Sequence, residues 1–229
     1  MARLKNFGVS GMRKLLCFHG FLGAPKDFNF LKSDFDVRAV DLSDYVHLGF
    51  DELWDRLEDE DLLEDCDLLG YSFGARLAAR IYLRLSKKPK LVMLAGHLGL
   101  ENNSQKEERR KIEQGFKHKL ETLTQEEFIE YWNGLELFWK DPGLAEFNFK
   151  NADAYFKTYG LSEQPYLKQE LVEFSDSILI YYGEDDHKYV SYAKENLSEF
   201  NVRYIPQTSH RLISYPEVLL PQIKEFLCN

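Results

Sequence analysis

Gly70-Tyr71-Ser72-Phe73-Gly74 is the stretch of this chain whose residue types and spacing point most directly to chemistry. The pattern is G-x-S-x-G. Its two glycines permit a sharp turn between a strand and a helix, and that turn lifts the serine hydroxyl above a sheet. A serine hydroxyl is nearly inert at neutral pH until a base takes its proton. The base would be a histidine, and the histidine needs a carboxylate to fix its tautomer. Thr208-Ser209-His210 follows the last apolar run, and Gly183-Glu184-Asp185-Asp186 follows the run before it. Asp186, third after the glycine, is the expected acid, with Asp185 as the alternative. Ser72, Asp186 and His210 are thus the expected catalytic residues. Charge developing beside the serine needs two backbone N–H donors. One is expected from Phe73. The other is expected from Phe21, in the turn His19-Gly20-Phe21-Leu22-Gly23. His19 reads as a structural turn residue, and His47, His118 and His187 as surface residues. His97 is either a turn residue or part of the site.

These residues must be held by regular elements. Apolar runs at 15–18, 37–40, 67–70, 91–94, 178–182 and 202–205 predict six strands. Helical periodicity predicts helices from about Asp51 through Leu62, at 73–85, at about 189–199 and at 216–227. Strands alternating with helices imply an α/β class: a mostly parallel sheet with helices on both faces. From 101 to 174 no strand is predicted. Helices at about 103–121, 124–138, 143–158 and 165–174 would form a lid inserted after the fourth strand. The expected division is a core of 1–100 and 175–229, with a helical cap of 101–174. Serine, acid and histidine in that chain order give the α/β-hydrolase fold as the expected fold. Ligands of such sheets bind beyond the C-terminal ends of the strands.

The bulk numbers agree with one enzyme-sized unit. The chain has 229 residues, of which 44% are hydrophobic, enough for a sizeable core. A formal net charge of -9 argues against nucleic acid as a partner. It does not exclude an anionic small molecule, which a local arginine cluster can attract. Cys17, Cys66 and Cys228 have no framework spacing and read as free thiols in a reducing compartment. Met1-Ala2-Arg3-Leu4-Lys5 has no apolar core behind it, so no signal peptide is expected. No apolar run approaches the roughly 20 residues of a membrane span. A cytoplasmic protein is expected. No H-E-x-x-H motif or phosphate loop is present, so neither metal nor cofactor is expected.

Further residues carry a narrower resemblance. Arg76 lies four residues after Ser72, one turn along the same helix face. Ala95-Gly96-His97-Leu98-Gly99-Leu100 follows the fourth strand, Arg109 opens the lid, and Trp132 and Phe138 lie deeper in it. Together with the triad, these make the chain resemble the MenH-type family, the 2-succinyl-6-hydroxy-2,4-cyclohexadiene-1-carboxylate synthases of menaquinone biosynthesis. The resemblance implies a lyase. Its substrate would be the tricarboxylate 2-succinyl-5-enolpyruvyl-6-hydroxy-3-cyclohexene-1-carboxylate, from which it removes pyruvate with the serine as base. It also implies that Arg76 and Arg109 clamp carboxylates through bidentate forks. Tyr71 would line the pocket, and Trp132 and Phe138 would wall it. The chain departs from the family pattern at Ala75 and Leu98, where glycine and proline are usual. It also has no arginine between 140 and 165. Lys150 or Lys157 would have to supply the third cation. Two other readings stand beside the lyase: a serine esterase or thioesterase working through an acyl-enzyme, and a non-catalytic binding relative.

Overall fold

The computed structural model describes residues 11–228. The expectation placed on Met1 to Lys5 lies outside these residues. Six strands form one sheet: β1 (Lys14–Phe18), β2 (Asp36–Val40), β3 (Asp67–Tyr71), β4 (Leu91–Leu94), β5 (Ile178–Gly183) and β6 (Asn201–Ile205). Their order is β2-β1-β3-β4-β5-β6, and every neighbouring pair is parallel.

Parallel strands buried on both faces read as continuous apolar runs, and β3 and β4 are buried at every position. Alternate residues feed two cores. Leu16, Phe18, Leu68, Met93, Ile180 and Tyr182 pack on one face. Helices α1 (Phe50–Asp59), α2 (Phe73–Arg84) and α7 (His187–Asn196) cover that face. Leu15, Cys17, Leu69, Val92, Leu179 and Tyr181 pack on the other. A 3-10 segment at Pro25–Leu31 and helix α8 (Pro216–Cys228) cover them.

The order reverses between β1 and β3: β2 lies to one side of β1, and β3 to β6 run away on the other. At such a switch point the loops leaving adjacent strands diverge and open a crevice. The turn after β1 and the serine after β3 both lie there.

The insertion between β4 and β5 contains α3 (Asn103–Thr122), α4 (Gln125–Asn133), α5 (Ala154–Tyr159) and α6 (Lys168–Leu171). Helix α4 starts at a capping box. The Thr124 hydroxyl accepts from the Glu127 N–H at 3.2 Å, and Glu127 accepts from the Thr124 N–H at 2.8 Å. The insertion is less helical than its periodicity predicts. The expected helix at 143–158 is regular only over Ala154–Tyr159, and the one at 124–138 ends at Asn133. Asn133 explains both breaks. Its side chain donates to the Leu144 carbonyl at 2.9 Å and accepts the Leu144 N–H at 3.2 Å, fixing an irregular strap. Phe147, Phe149 and Phe156 join an aromatic cluster with Phe128, Trp132 and Phe138. Their helix-like spacing reflects this packing. Helix α1 likewise stops before Leu62, at a left-handed Asp61, although Leu62 still packs on the same core. No helix of the described residues is long and apolar enough to cross a membrane.

Candidate active site

Ser72 occupies the turn between β3 and α2, with φ 50° and ψ -108°. Left-handed φ is costly for a residue with a Cβ, so the surroundings must enforce it. They do so by close approach. A Cβ on Gly70 would lie 2.4 Å from the Ala75 Cα, and one on Gly74 would lie 2.0 Å from the Phe18 carbonyl oxygen. The first turn of α2 therefore sits directly on the end of β1.

The Ser72 hydroxyl lies 2.9 Å from His210 Nε2. His210 Nδ1 lies 2.6 Å from Asp186 Oδ2. His210 and Asp186 are both buried. Asp186 Oδ1 accepts the Tyr189 N–H at 3.3 Å, so α7 also fixes the acid. Asp185 does not reach His210; it pairs with Lys140 at 3.2 Å. With His210 Nδ1 donating to Asp186, Nε2 is free to accept the serine proton. Phe21 and Phe73 flank the serine from the β1 turn and from the start of α2. The Phe73 N–H belongs to the first turn of a helix, which has no intrahelical acceptor. The Phe21 N–H has no acceptor among the described residues. His19 is fully buried; its Nδ1 donates to the Gly20 carbonyl at 2.8 Å, and its Nε2 accepts the Leu42 N–H at 2.9 Å. Both ring nitrogens are thereby spent on holding the turn.

A cavity of about 850 Å³ opens over Ser72 and His210. Arg76 is buried in its wall, one turn along α2 from the serine. Its Nε has no partner, and no carboxylate pairs with it among the described residues. Burial pulls its pKa down to about 10, so it stays charged at neutral pH. Arg109 enters the same cavity from α3. Its Nε donates to buried Glu113 at 2.8 Å. Glu113 also accepts the Leu161 N–H at 2.7 Å and the Ser162 hydroxyl at 2.6 Å. Arg110 turns away, to a surface pair with Glu163.

Tyr71, Trp132 and Phe138 all line the cavity. Trp132 and Phe138 are also core residues of the insertion. Phe138 lies edge-on to the His210 ring at 5.8 Å, and Trp132 packs on Phe21 at 4.8 Å. Neither Lys150 nor Lys157 borders the cavity. Lys150 is drawn off to Asp44, and Lys157 is exposed. Lys188, an exposed residue at the start of α7, does border the cavity. Partial desolvation against the cavity wall lowers its pKa, and the nearby Arg109 charge lowers it further. Tyr189 lies beside it, 4.8 Å from the His210 ring. Sequence reasoning missed both residues. The available signal was position: α7 begins directly after the acid, and its first three residues all border the crevice.

No family model and no curated protein matches this sequence. Solved structures do match. MenH from S. aureus superposes with a TM-score of 0.78 at 23% identity, covering 94% of this chain and 93% of that one. The enol-lactonase from Burkholderia xenovorans LB400 gives a TM-score of 0.70 at 12% identity, over 96% and 93%. The chain has the α/β-hydrolase fold. A carboxylesterase structure from Nitrososphaera gargenis shares it too, with a TM-score of 0.70 at 17% identity over 95% and 90%. In the α/β-hydrolase fold of this chain, the serine, acid and histidine follow β3, β5 and β6. The helical insertion joins their crevice from the loop after β4.

Proposed function

We propose that this protein is an enzyme of the MenH type. It would eliminate pyruvate from 2-succinyl-5-enolpyruvyl-6-hydroxy-3-cyclohexene-1-carboxylate to give 2-succinyl-6-hydroxy-2,4-cyclohexadiene-1-carboxylate. One observation carries the reading: Arg76 is a buried, unpaired guanidinium one turn from Ser72 and in the same cavity. A desolvated charge without a partner is costly, and an anionic ligand removes that cost. Arg109 and Lys188 add two more cations on the same cavity. Lys26 and Arg211 also border the cavity but are engaged elsewhere, by Glu146 and by Asn133 and the Pro142 carbonyl. The remaining three cations suit three carboxylates, and an ester of a neutral acid has no use for them. The S. aureus MenH likeness supports the same reading.

In this reading Asp186 holds His210 in the tautomer that accepts the Ser72 proton. The serine oxygen, so poised, takes the acidic ring proton. The electron pair left on that carbon, C2, forms a double bond to C3, the existing C3–C4 double bond shifts to C4–C5, and the C5–O bond to the enolpyruvyl group breaks. The departing enolate is protonated on carbon to pyruvate, with the proton held by His210 restoring the balance. The N–H groups of Phe21 and Phe73 face the charge that develops beside Ser72. Arg76, Arg109 and Lys188 hold the carboxylates, and so fix the C–H against the serine oxygen.

Ser72→Ala, His210→Ala and Asp186→Asn should each lower pyruvate release by several orders of magnitude, without additivity, because the three act as a unit. The deciding assay pairs pyruvate release with p-nitrophenyl ester hydrolysis on one preparation. Pyruvate in step with diene absorbance is expected, with poor ester turnover. The carboxylesterase neighbours favour the second reading, and brisk ester hydrolysis without pyruvate would establish it.

A further inference from the structure

His210 stands on a loop with little structure of its own. Strand β6 ends at Ile205, and the next regular element is a 3-10 turn at Leu212–Ser214. The peptide N–H groups on either side of the histidine, those of Ser209 and Arg211, find no acceptor within the loop. Both are taken by one residue of the insertion. Asp141 Oδ1 accepts the Ser209 N–H at 3.0 Å, and Asp141 Oδ2 accepts the Arg211 N–H at 2.7 Å. A carboxylate is acceptor-only, with two oxygens, and is suited to spanning two donors that bracket a single residue. Its charge makes both bonds stronger than neutral ones.

The surrounding bonds run the same way. The Ser209 hydroxyl donates to the Leu137 carbonyl at 3.1 Å. The Arg211 side chain is almost fully buried and donates to Asn133 at 2.7 Å and to the Pro142 carbonyl at 3.2 Å. Its guanidinium lies 3.8 Å from the Phe138 ring centre. The segment from Asn133 to Pro142 is thus bolted to the histidine loop, and Asp141 is the bolt that brackets the histidine on both sides.

We infer that Asp141 is a positioning residue. It holds the backbone on both sides of His210 and thereby sets the 2.9 Å approach of the imidazole to Ser72. The insertion then serves the triad directly, in addition to lining the cavity. This inference rests on the reading that His210 activates Ser72.

The test uses Asp141→Ala, Asp141→Asn, Tyr215→Phe and Ser72→Ala in the full chain. Each is followed by kcat and KM for pyruvate release, and the first three also by the rate at which a fluorophosphonate labels Ser72, with Ser72→Ala as the unlabelled control. Labelling reads the reactivity of the serine without reference to any substrate. Thermal melting and near-ultraviolet circular dichroism establish that each variant is folded. An asparagine can accept with one oxygen only, so Asp141→Asn should lose about 10-fold in kcat and Asp141→Ala about 100-fold, the scale set by a misplacement near 1 Å. KM should hold within about twofold, because the carboxylate clamps lie elsewhere. Labelling should fall in parallel with kcat. Tyr215→Phe removes the 3.2 Å bond from the Tyr215 hydroxyl to Asp141 and leaves both backbone bonds, so it should leave activity unchanged. If Asp141→Ala does not fold, Asp141→Asn decides. A folded Asp141 variant with unchanged kcat and labelling, beside an inactive Ser72→Ala, overturns the inference alone. A rise in KM at constant kcat overturns it as well, by placing Asp141 in binding. Full activity in Ser72→Ala overturns the triad reading, and this inference with it.

Discussion

Arg109 and Arg110 are adjacent in sequence and opposite in circumstance. Arg109 gives its Nε edge to Glu113 and borders the cavity, whereas Arg110 pairs with Glu163 at the surface. An arginine held by Nε keeps its two terminal nitrogens for a carboxylate, the geometry a bidentate clamp needs. Arg109→Ala should therefore raise KM for the tricarboxylate about 10-fold or more, the order expected for one charge-assisted contact. Arg110→Ala should change it less than twofold, as exposed pairs contribute little. Lys188→Gln should also raise KM, whereas Lys150→Gln should not. Steady-state kinetics on the four variants checks the assignment, and a KM that responds to Arg110 in place of Arg109 contradicts it. At this scale the sequence made Ser72, Asp186, His210, Arg76 and Arg109 legible, through motif, chain order and resemblance. Lys188 and Asp141 escaped because nothing in their local sequence distinguishes them from surface charges. The roles proposed for them come from what the chain brings opposite them, a cavity in one case and two orphaned N–H groups in the other.

The elements were legible in proportion to how far local sequence alone determines them. All six strands fall within a residue or so of their apolar runs. The four inner strands are buried nearly throughout and write themselves as such runs, whereas the edge strands β2 and β6 are half-buried and each carries an arginine among its apolar residues. The insertion was harder, because its order comes from side chains that tie irregular backbone together. Glu113 is the clearest example. It sits on α3, is buried, and binds Arg109 along its own helix and Leu161 and Ser162 across the insertion. Every one of those partners is a donor. Glu113→Gln keeps the shape but replaces one acceptor oxygen with an NH₂ group, which must face one of these donors. Leaving a buried donor unsatisfied costs roughly 1–3 kcal/mol. The variant should melt lower by that amount, and KM should rise with it as Arg109 loses its brace. Thermal unfolding with kinetics on the same sample checks both. A drop in stability with unchanged KM would show that Glu113 holds the insertion together without aiming Arg109.

Two opposing electrostatic effects meet at the scale of the whole molecule when the pH falls. The chain carries a formal charge of -9 with a sequence pI near 5.3. Acidification toward that value relieves self-repulsion and favours the compact state. His97 acts in the other direction. Its ring is stacked on Tyr192 at 3.9 Å, and its Nδ1 accepts the Gly99 N–H at 3.1 Å, which only an unprotonated Nδ1 can do. Burial first, then the charges of Arg76, Arg109 and Lys188, pull its pKa from 6.5 to about 3. The unfolded chain binds this proton below about 6.5, and the folded chain refuses it until about 3. The histidine's contribution to stability is therefore complete above pH 6.5 and is lost progressively as the pH falls toward 3. At pH 5 the loss reaches at most about 2 kcal/mol, at roughly 1.4 kcal/mol for each unit of separation. The change in net charge is common to the protein and its variants, so a substitution isolates the histidine. An asparagine at this position presents an acceptor oxygen where Nδ1 stood and does not titrate. His97→Asn should melt at or below the wild-type temperature at pH 7.5. At pH 5 the difference should shift in its favour by several degrees, the size expected for about 2 kcal/mol in a chain of this length. Melting curves for both proteins at the two pH values decide the matter. A difference that stays constant between pH 7.5 and 5 would mean that the folded protein accommodates the imidazolium, and that the cations of the cavity do not reach His97 as the structure places them.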